Sequence, residues 1–353
     1  MKRFALLLCT ASLMACATEP SGEFTTDMSV PAVPPAFETA PVISSDDAAD
    51  DPAILYNSAN PAASIILGTN KRGGLYTYDL DGEVTQYLEV GNLNNVDVRQ
   101  GVTLGDWSGD FVSATNRSDN SVSVFEARDG IVTFLGGFPV IRDEPYGHCA
   151  GVIDGQIYAI VTHKGGEVDL YRVENMAKGA ASGTHLQTVK MASQLEGCVF
   201  DEANATLFIG EEEAGISRFA LTTDIDGSPR IGAEQRVDVI GSGSGIAMDV
   251  EGLSVYLAES TSGYLIASSQ GNNTYAVYNR ETDAFLGRFR IGDSADGAID
   301  GAQETDGLDV IAKPLPGFPK GVLIVQDGFN KPDGENQNFK IIDWVQIEKA
   351  LGL

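Results

Sequence analysis

Histidine is almost missing from this chain: three residues in 353, at positions 148, 163 and 185. Zinc and related centres built on imidazole need several such ligands together, so a histidine-based site is not expected. Positive charge is scarce too, with 23 Lys plus Arg against 50 Asp plus Glu and a net charge of −27. A general nucleic-acid binder needs a basic face to displace counterions, and this composition excludes one. No Gly-x-Ser-x-Gly elbow occurs, which leaves Ser-His-Asp catalysis without support. The Gly-rich run at 241–245 lacks the lysine and following helix of a phosphate loop and reads as a turn. Beyond the N-terminus no apolar run is long enough to cross a bilayer as a helix. What is abundant is apolar residues, at 43%, and glycine, at 40 residues. That is ample material for a large core and too apolar for a disordered chain.

The first residues are an address. Lys2 and Arg3 precede the apolar run Phe4 to Leu8, and Leu13-Met14-Ala15-Cys16 ends it. A basic start, an apolar stretch and small residues make a secretory signal over residues 1–15. Its end resembles a bacterial lipoprotein lipobox, which implies cleavage before Cys16 and lipidation of that thiol; the alternative is a plain signal cut with Cys16 incidental. The expected location is the bacterial cell envelope, as a lipoprotein of the outer membrane or periplasm, or outside the cell as a secreted protein. Membrane contact is expected only through the lipid. Residues 16–45 are rich in Pro, Ser, Thr and Ala and read as a flexible tether, leaving 46–353 as the folded body. Within that body only Cys149 and Cys198 remain. An exported pair at matching places in adjacent repeats is expected to form a disulfide, against the alternative of two buried thiols.

Short alternating or β-branched runs separated by glycine-bearing turns fill the body, as in SIILG (64–68), SVSVFE (121–126), QIYAIVT (156–162), TLFIG (206–210), TYAVYN (274–279) and GVLIVQ (321–326). Only Trp344 to Leu351 reads as a helix. Six strand ends align: GTNK at Lys71, ATNR at Arg117, VTHK at Lys164, IGEE at Glu212, ASSQ at Gln270 and IVQD at Asp327. A second series precedes them, at DDPAI, NNVDV, EPYGH, LEGCV, VEGLS and TDGLD. Two interleaved series with a period of roughly 50 residues mark a repeat array of four-stranded blades. The expected fold is therefore all-β: a six-bladed β-propeller of four-stranded antiparallel blades, with a short C-terminal helix. In such a meander the start of each innermost strand and the end of the next share a face, so both series should ring one mouth of the central channel.

That ring has sorted chemistry. Repeats one to three supply Lys71, Arg72, Arg117 and Lys164; the later repeats supply Glu211, Glu212, Gln270 and Asp327. The inner series adds Asp50, Asp51, Tyr146, Glu196, Asp249, Glu251, Asp300 and Asp306. So many facing carboxylates repel unless neutralised. Oxygen-rich, histidine-poor sites select hard cations, Ca²⁺ above transition metals. Bound Ca²⁺ would turn an acidic rim into an anion site. The arginine suits two-pronged contact with phosphate, the lysines act as point charges, and Tyr146 can donate a hydrogen bond. Glu212 is placed to accept a proton from an attacking water.

The strings DDPAI (50–54), GTNKRGGLYTYDLDG (68–82), NNVDVR (94–99), EPYGHC (144–149), EGLSVY (251–256), GYLIASSQGNNTYAVYNR (263–280), TDGLDV (305–310), QDGFN (326–330) and NQNFK (336–340) resemble the β-propeller phytases over roughly residues 45–343. The resemblance implies calcium-dependent, stepwise removal of phosphate from myo-inositol hexakisphosphate (phytate), presented as a calcium complex, by attack of a calcium-held water. It implies that Lys71, Arg117, Tyr146 and Lys164 bind phosphate, with Arg72 adjacent. It implies that Asp51, Glu196, Glu212, Asp249, Glu251, Gln270 and Asp306 hold the catalytic calcium ions, with Asp50 beside them. Asp300 and Asp327 are expected at a separate, stabilising calcium site, and Glu38 is within reach of the metal cluster. The enzyme is expected to act as a monomer. Among its departures from the family, His163 stands where a small residue is usual before Lys164, a substitution expected to alter the response to pH. Two other classes stay open at this level: a calcium-stabilised binding propeller without catalysis, and a propeller lactonase, which would leave the cation ring unexplained.

Overall fold

The computed structural model describes residues 24–353 apart from Asp226, 259–261 and Asp333. The signal segment and Cys16 lie outside the described residues. Six antiparallel sheets follow one another along the chain. Blade 1 comprises Ala49–Leu55, Ile65–Asn70, Gly74–Tyr78 and Val84–Glu89; blade 2 comprises Leu93–Leu104, Trp107–Asn116, Ser121–Arg128 and Ile131–Pro139. Blade 3 is His148–Ile153, Gln156–Thr162, Glu167–Asn175 and Ser182–Lys190; blade 4 is Leu195–Asp201, Thr206–Glu211, Gly215–Thr223 and Pro229–Val239. Blade 5 is Val250–Leu257, Gly263–Ser269, Thr274–Asn279 and Phe285–Ile291, and blade 6 begins with Leu308–Ile311, Val322–Asp327 and Asn338–Asp343. The six-bladed propeller expected from the repeat is the fold observed. The helix Trp344–Leu351 follows blade 6, capped at its start by the Asp343 carboxylate, which accepts from the Val345 amide.

The cores lie between blades. Six clusters of buried apolar side chains each draw on two adjacent blades, and the cluster of Ile54, Ile66, Tyr76, Ile324 and Ile341 joins blade 6 to blade 1 and closes the ring. The β-branched runs are buried on both faces because each blade is sandwiched between neighbours. Arg280 and Asp201, both fully buried, pair at 2.5 Å and tie blade 5 to blade 4.

The leader departs from the tether expected of its composition. Ala32–Val33 runs parallel to the outer edge of blade 5, and Phe37–Glu38 supplies the fourth strand of blade 6 by pairing with Lys340 and Ile341. Val33 and Val42 are about as buried as any core residue, at 1% exposure each. Proline and small residues suit this short edge position as well as they suit a linker, so composition alone does not separate the two. Cys149 and Cys198 form the expected disulfide and join the innermost strands of blades 3 and 4.

Candidate active site

Irregularities in the innermost strands build the site. Pairing with the second strand slips across residues 50–51, 94–95, 196–197 and 251–252. Such bulges free side chains from the ladder and re-aim them. In four blades the functional residue is followed by glycine: Tyr146-Gly147, Glu196-Gly197, Glu251-Gly252 and Asp306-Gly307. A Cβ on Gly147 would lie 1.9 Å from the Glu196 carbonyl oxygen, and one on Gly197 would lie 2.1 Å from that of Glu251. Glycine there lets neighbouring inner strands touch, and this brings four blades' side chains to one point.

Glu196, Glu212 and Glu251 each present an oxygen within 4.8 Å of the others, and all three are buried. Asp50 is fully buried, and neither of its carboxylate oxygens has a hydrogen-bond partner; one oxygen each of Glu212 and Glu251 is likewise buried and unpartnered. Burial pushes these acids up, with neighbouring carboxylates adding to it and Lys71 pulling Asp50 and Asp306 back: Asp50 and Glu251 go well above the usual carboxylate range, Glu212 to about 8 and Asp306 to about 7. Lys71 Nζ sits 2.7 Å from both Asp47 and Asp306, and the Gln270 amide donates to Asp306 at 2.5 Å. Burial works against the Lys71 ammonium, but Asp306, Asp50 and Asp47 outweigh it and hold it charged. Asp249 is held in the left-handed region at φ 58°; its amide donates to the Glu212 carbonyl and its own carbonyl accepts from the Gln270 amide.

The cations stand opposite. The Arg117 guanidinium lies 5.4 Å and Lys164 Nζ 4.6 Å from the Tyr146 ring centre. Arg117 Nε is buried without a partner. Burial and the nearby Glu196, Glu251 and Glu212 push the Tyr146 phenol well above its ordinary value, so it remains a hydrogen-bond donor. Arg72 is exposed at the rim, its Nε donating to the Asp47 carbonyl at 3.0 Å.

Not every expected ligand faces this mouth. Of the Asp50–Asp51 pair, Asp50 lies among the charges of the mouth, while Asp51 turns into the channel and accepts from the Val96 amide at 2.9 Å. Glu211 turns outward into its own blade: it accepts from the Ala192 and Ser193 amides and pairs with Arg236 at 2.6 Å. It is a satisfied structural carboxylate. Asp300 and Asp327 gather around Lys340, whose Nζ lies 2.6 Å from Asp300 and 3.3 Å from Asp327 and also bonds Glu38. An ammonium therefore sits among the residues expected to hold a separate calcium ion, while one Asp327 oxygen stays buried without a hydrogen-bond partner. Two participants escaped sequence reading. Asn94, whose amide donates to Glu196 at 2.9 Å, sits at the bulge position equivalent to Asp50. Asp47 precedes the recognised DDPAI string and nothing in the repeat singles it out.

A model of the phytase family matches residues 2–353. The 3-phytase of Bacillus subtilis strain 168 is 39% identical over 330 residues, spanning 89% of this chain and 84% of that protein. The chain belongs to the phytase family. It is a hydrolase of phosphoric esters on a β-propeller. Among solved structures, an auxiliary nutrient binding protein from Bacteroides thetaiotaomicron VPI-5482 superposes with a TM-score of 0.54 at 12% identity, over 84% of this chain and 69% of that one, a likeness of fold alone. Phytase membership implies a metal-dependent enzyme, and the donor set fits one. Buried carboxylate oxygens without partners, with no imidazole or thiolate among them, suit a hard divalent cation. Glu196, Glu212, Glu251 and Asp50 would hold it, with Asp249, Gln270 and Asp306 at the edge.

Proposed function

We propose that this enzyme is a calcium-dependent phytase that removes phosphate stepwise from myo-inositol hexakisphosphate, taken as its calcium complex. The observation that carries the reading is the pairing of unpartnered buried carboxylates with a cation rim around one phenol. Calcium, when bound, would cancel the carboxylate charge, polarise phosphoryl oxygens and acidify a coordinated water. The chain's own groups do the rest. Lys71, Arg117 and Lys164 hold phosphate oxygens, the arginine through paired N–H donors. Tyr146 donates its phenolic proton to a phosphate oxygen and orients the ester. Glu212 accepts a proton from the attacking water at the oxygen left without a partner. A neighbouring phosphate on the same ring rests on the lysine and arginine side, which favours a polyphosphorylated substrate over a simple monoester. The enzyme acts as a monomer, exported and held in the cell envelope through lipidated Cys16. The test is phosphate release from phytate with calcium, with a chelator, and after calcium is restored. Loss and recovery of activity are expected; full-speed hydrolysis by chelated, folded protein would overturn the reading.

A further inference from the structure

Of the four inner strands that bulge at the mouth, one is tied covalently to its neighbour. In blade 4 regular pairing breaks after Leu195, opposite Glu211, and resumes at Cys198, opposite Ile209. Glu196 is presented from the gap, and Cys198 is the residue at which the strand regains its ladder. The same position is Pro52 in blade 1, Val96 in blade 2 and Leu253 in blade 5. Cys198 is bonded across the seam to Cys149 of blade 3, 49 positions earlier. Cys149 pairs with Ile160 and follows closely on Tyr146 in the chain.

Other contacts converge on the same seam. The Thr162 hydroxyl of blade 3 donates to the Glu196 carbonyl at 2.8 Å. Thr162 is itself fastened to the Tyr146 segment: its carbonyl accepts from the Tyr146 amide at 3.1 Å, and its amide donates to the Gly147 carbonyl at 3.0 Å. Tyr146, Thr162 and Glu196 form one connected unit, and the disulfide lies just beneath it, buried in the core shared by blades 3 and 4. Blade 3 brings Tyr146 and Lys164 to the mouth and blade 4 brings Glu196 and Glu212. This is the seam at which the cation rim meets the carboxylate cluster.

The load on that seam is electrostatic. Glu196, Glu212 and Glu251 present oxygens within 4.8 Å of one another. Like charges at this range repel, and a bulge interrupts the ladder that would otherwise resist them. Ligands held beforehand at their bound spacing take a cation more tightly, because binding then spends less on ordering them.

We propose that the Cys149–Cys198 disulfide is a positioning element of the active site: it pins the bulge that presents Glu196 at a fixed spacing from Tyr146, and so preorganises the carboxylate cluster for its cation. This rests on the reading of the mouth as a divalent-cation site for phosphate chemistry.

The test compares wild type with Cys149→Ala, Cys198→Ala and the double variant at a temperature where circular dichroism shows each to be folded. Calcium affinity by calorimetry should fall about tenfold, the range for losing a group that orients metal ligands. Turnover on phytate should fall about tenfold with it, as misplacement at the reacting centre does. Each single variant should lose as much as the double, because either one breaks the same bond. A disulfide that merely stabilised the fold would act mainly on the unfolded chain. Its loss would lower the denaturation midpoint and leave calcium affinity and kcat at wild-type values, and that result overturns the proposal. A second measurement needs no variant: amide hydrogen exchange in wild type with and without calcium. On calcium removal the untied bulge at 251–252 should lose about tenfold more protection than the tied one at 196–197. Equal losses sink the proposal. If wild type binds calcium but releases no phosphate from phytate, while the variants still lose calcium affinity, the functional reading falls and this one stands.

Discussion

Two acidic pits in this molecule have nearly the same composition and opposite solutions. Around Lys340, the carboxylates Glu38, Asp300 and Asp327 close on a fully buried ammonium supplied by the chain. Across the mouth, Glu196, Glu212, Glu251 and Asp50 have the Asn94 amide on Glu196 and the Lys71 charge near Asp50, yet four of their oxygens are left without partners. A buried anion must be paired, protonated or metal-bound. The first pit is paired from within by Lys340, with one Asp327 oxygen at the longer distance of 3.3 Å, and belongs to the scaffold. The second is left open to an outside cation and belongs to the chemistry. A count of acids or of lysines does not separate them; an ammonium bonded at the centre of the group does.

The comparison can be broken in several ways. Glu212→Gln should keep the fold and lower turnover on phytate by about 10²- to 10⁴-fold, the range for loss of a general base; near-normal kcat would remove Glu212 from proton transfer. Lys340→Met strands three carboxylates at once and should cost about 3–5 kcal/mol of stability by denaturant titration. Should Lys340→Met unfold with an unchanged midpoint, the first pit is not held by its lysine. The open pit predicts a pH effect in calcium-free protein. Glu212 and Asp306 titrate higher folded, at about 8 and about 7, than unfolded, so their protonated forms favour the fold at low pH. That contribution is complete below the unfolded values and is lost as pH rises through the folded ones. The melting temperature without calcium should therefore fall between about pH 5 and 8, and calcium should abolish the fall. A flat profile without calcium would contradict the charge repulsion argued here. The smallest effect is expected of Glu211→Gln, about 1–3 kcal/mol in stability from its amide and Arg236 contacts, with calcium affinity by calorimetry unchanged. A weakened calcium affinity would return Glu211 to the ligand set.

How much of this was legible in the sequence follows from geometry. The period of glycine turns and strand runs reveals six blades, because each blade repeats one supersecondary unit. The two residue series reveal the mouth, because meander topology puts strand ends on a common face. Legibility stops at single-residue orientation. Glu211 and Glu212 are neighbours, yet the first completes a strand facing its own blade and the second opens the turn facing the mouth. Asp50 and Asp51 share a bulge, and a bulge is where simple alternation fails. The leader was misread for a related reason: Val33 and Phe37 find their partners in blades 5 and 6, near the other end of the chain. Lys340 lies in a recognised string, NQNFK, but only the fold shows that it points at Asp300.

One consequence concerns how such a ring comes to be shut. Glu38 and Lys340 stand 302 positions apart and meet across the last seam. The beginning of the polypeptide is the missing outer strand of its end. The circle therefore cannot be completed until the last blade has been made and has met the leader. The latch is the part made first and fastened last.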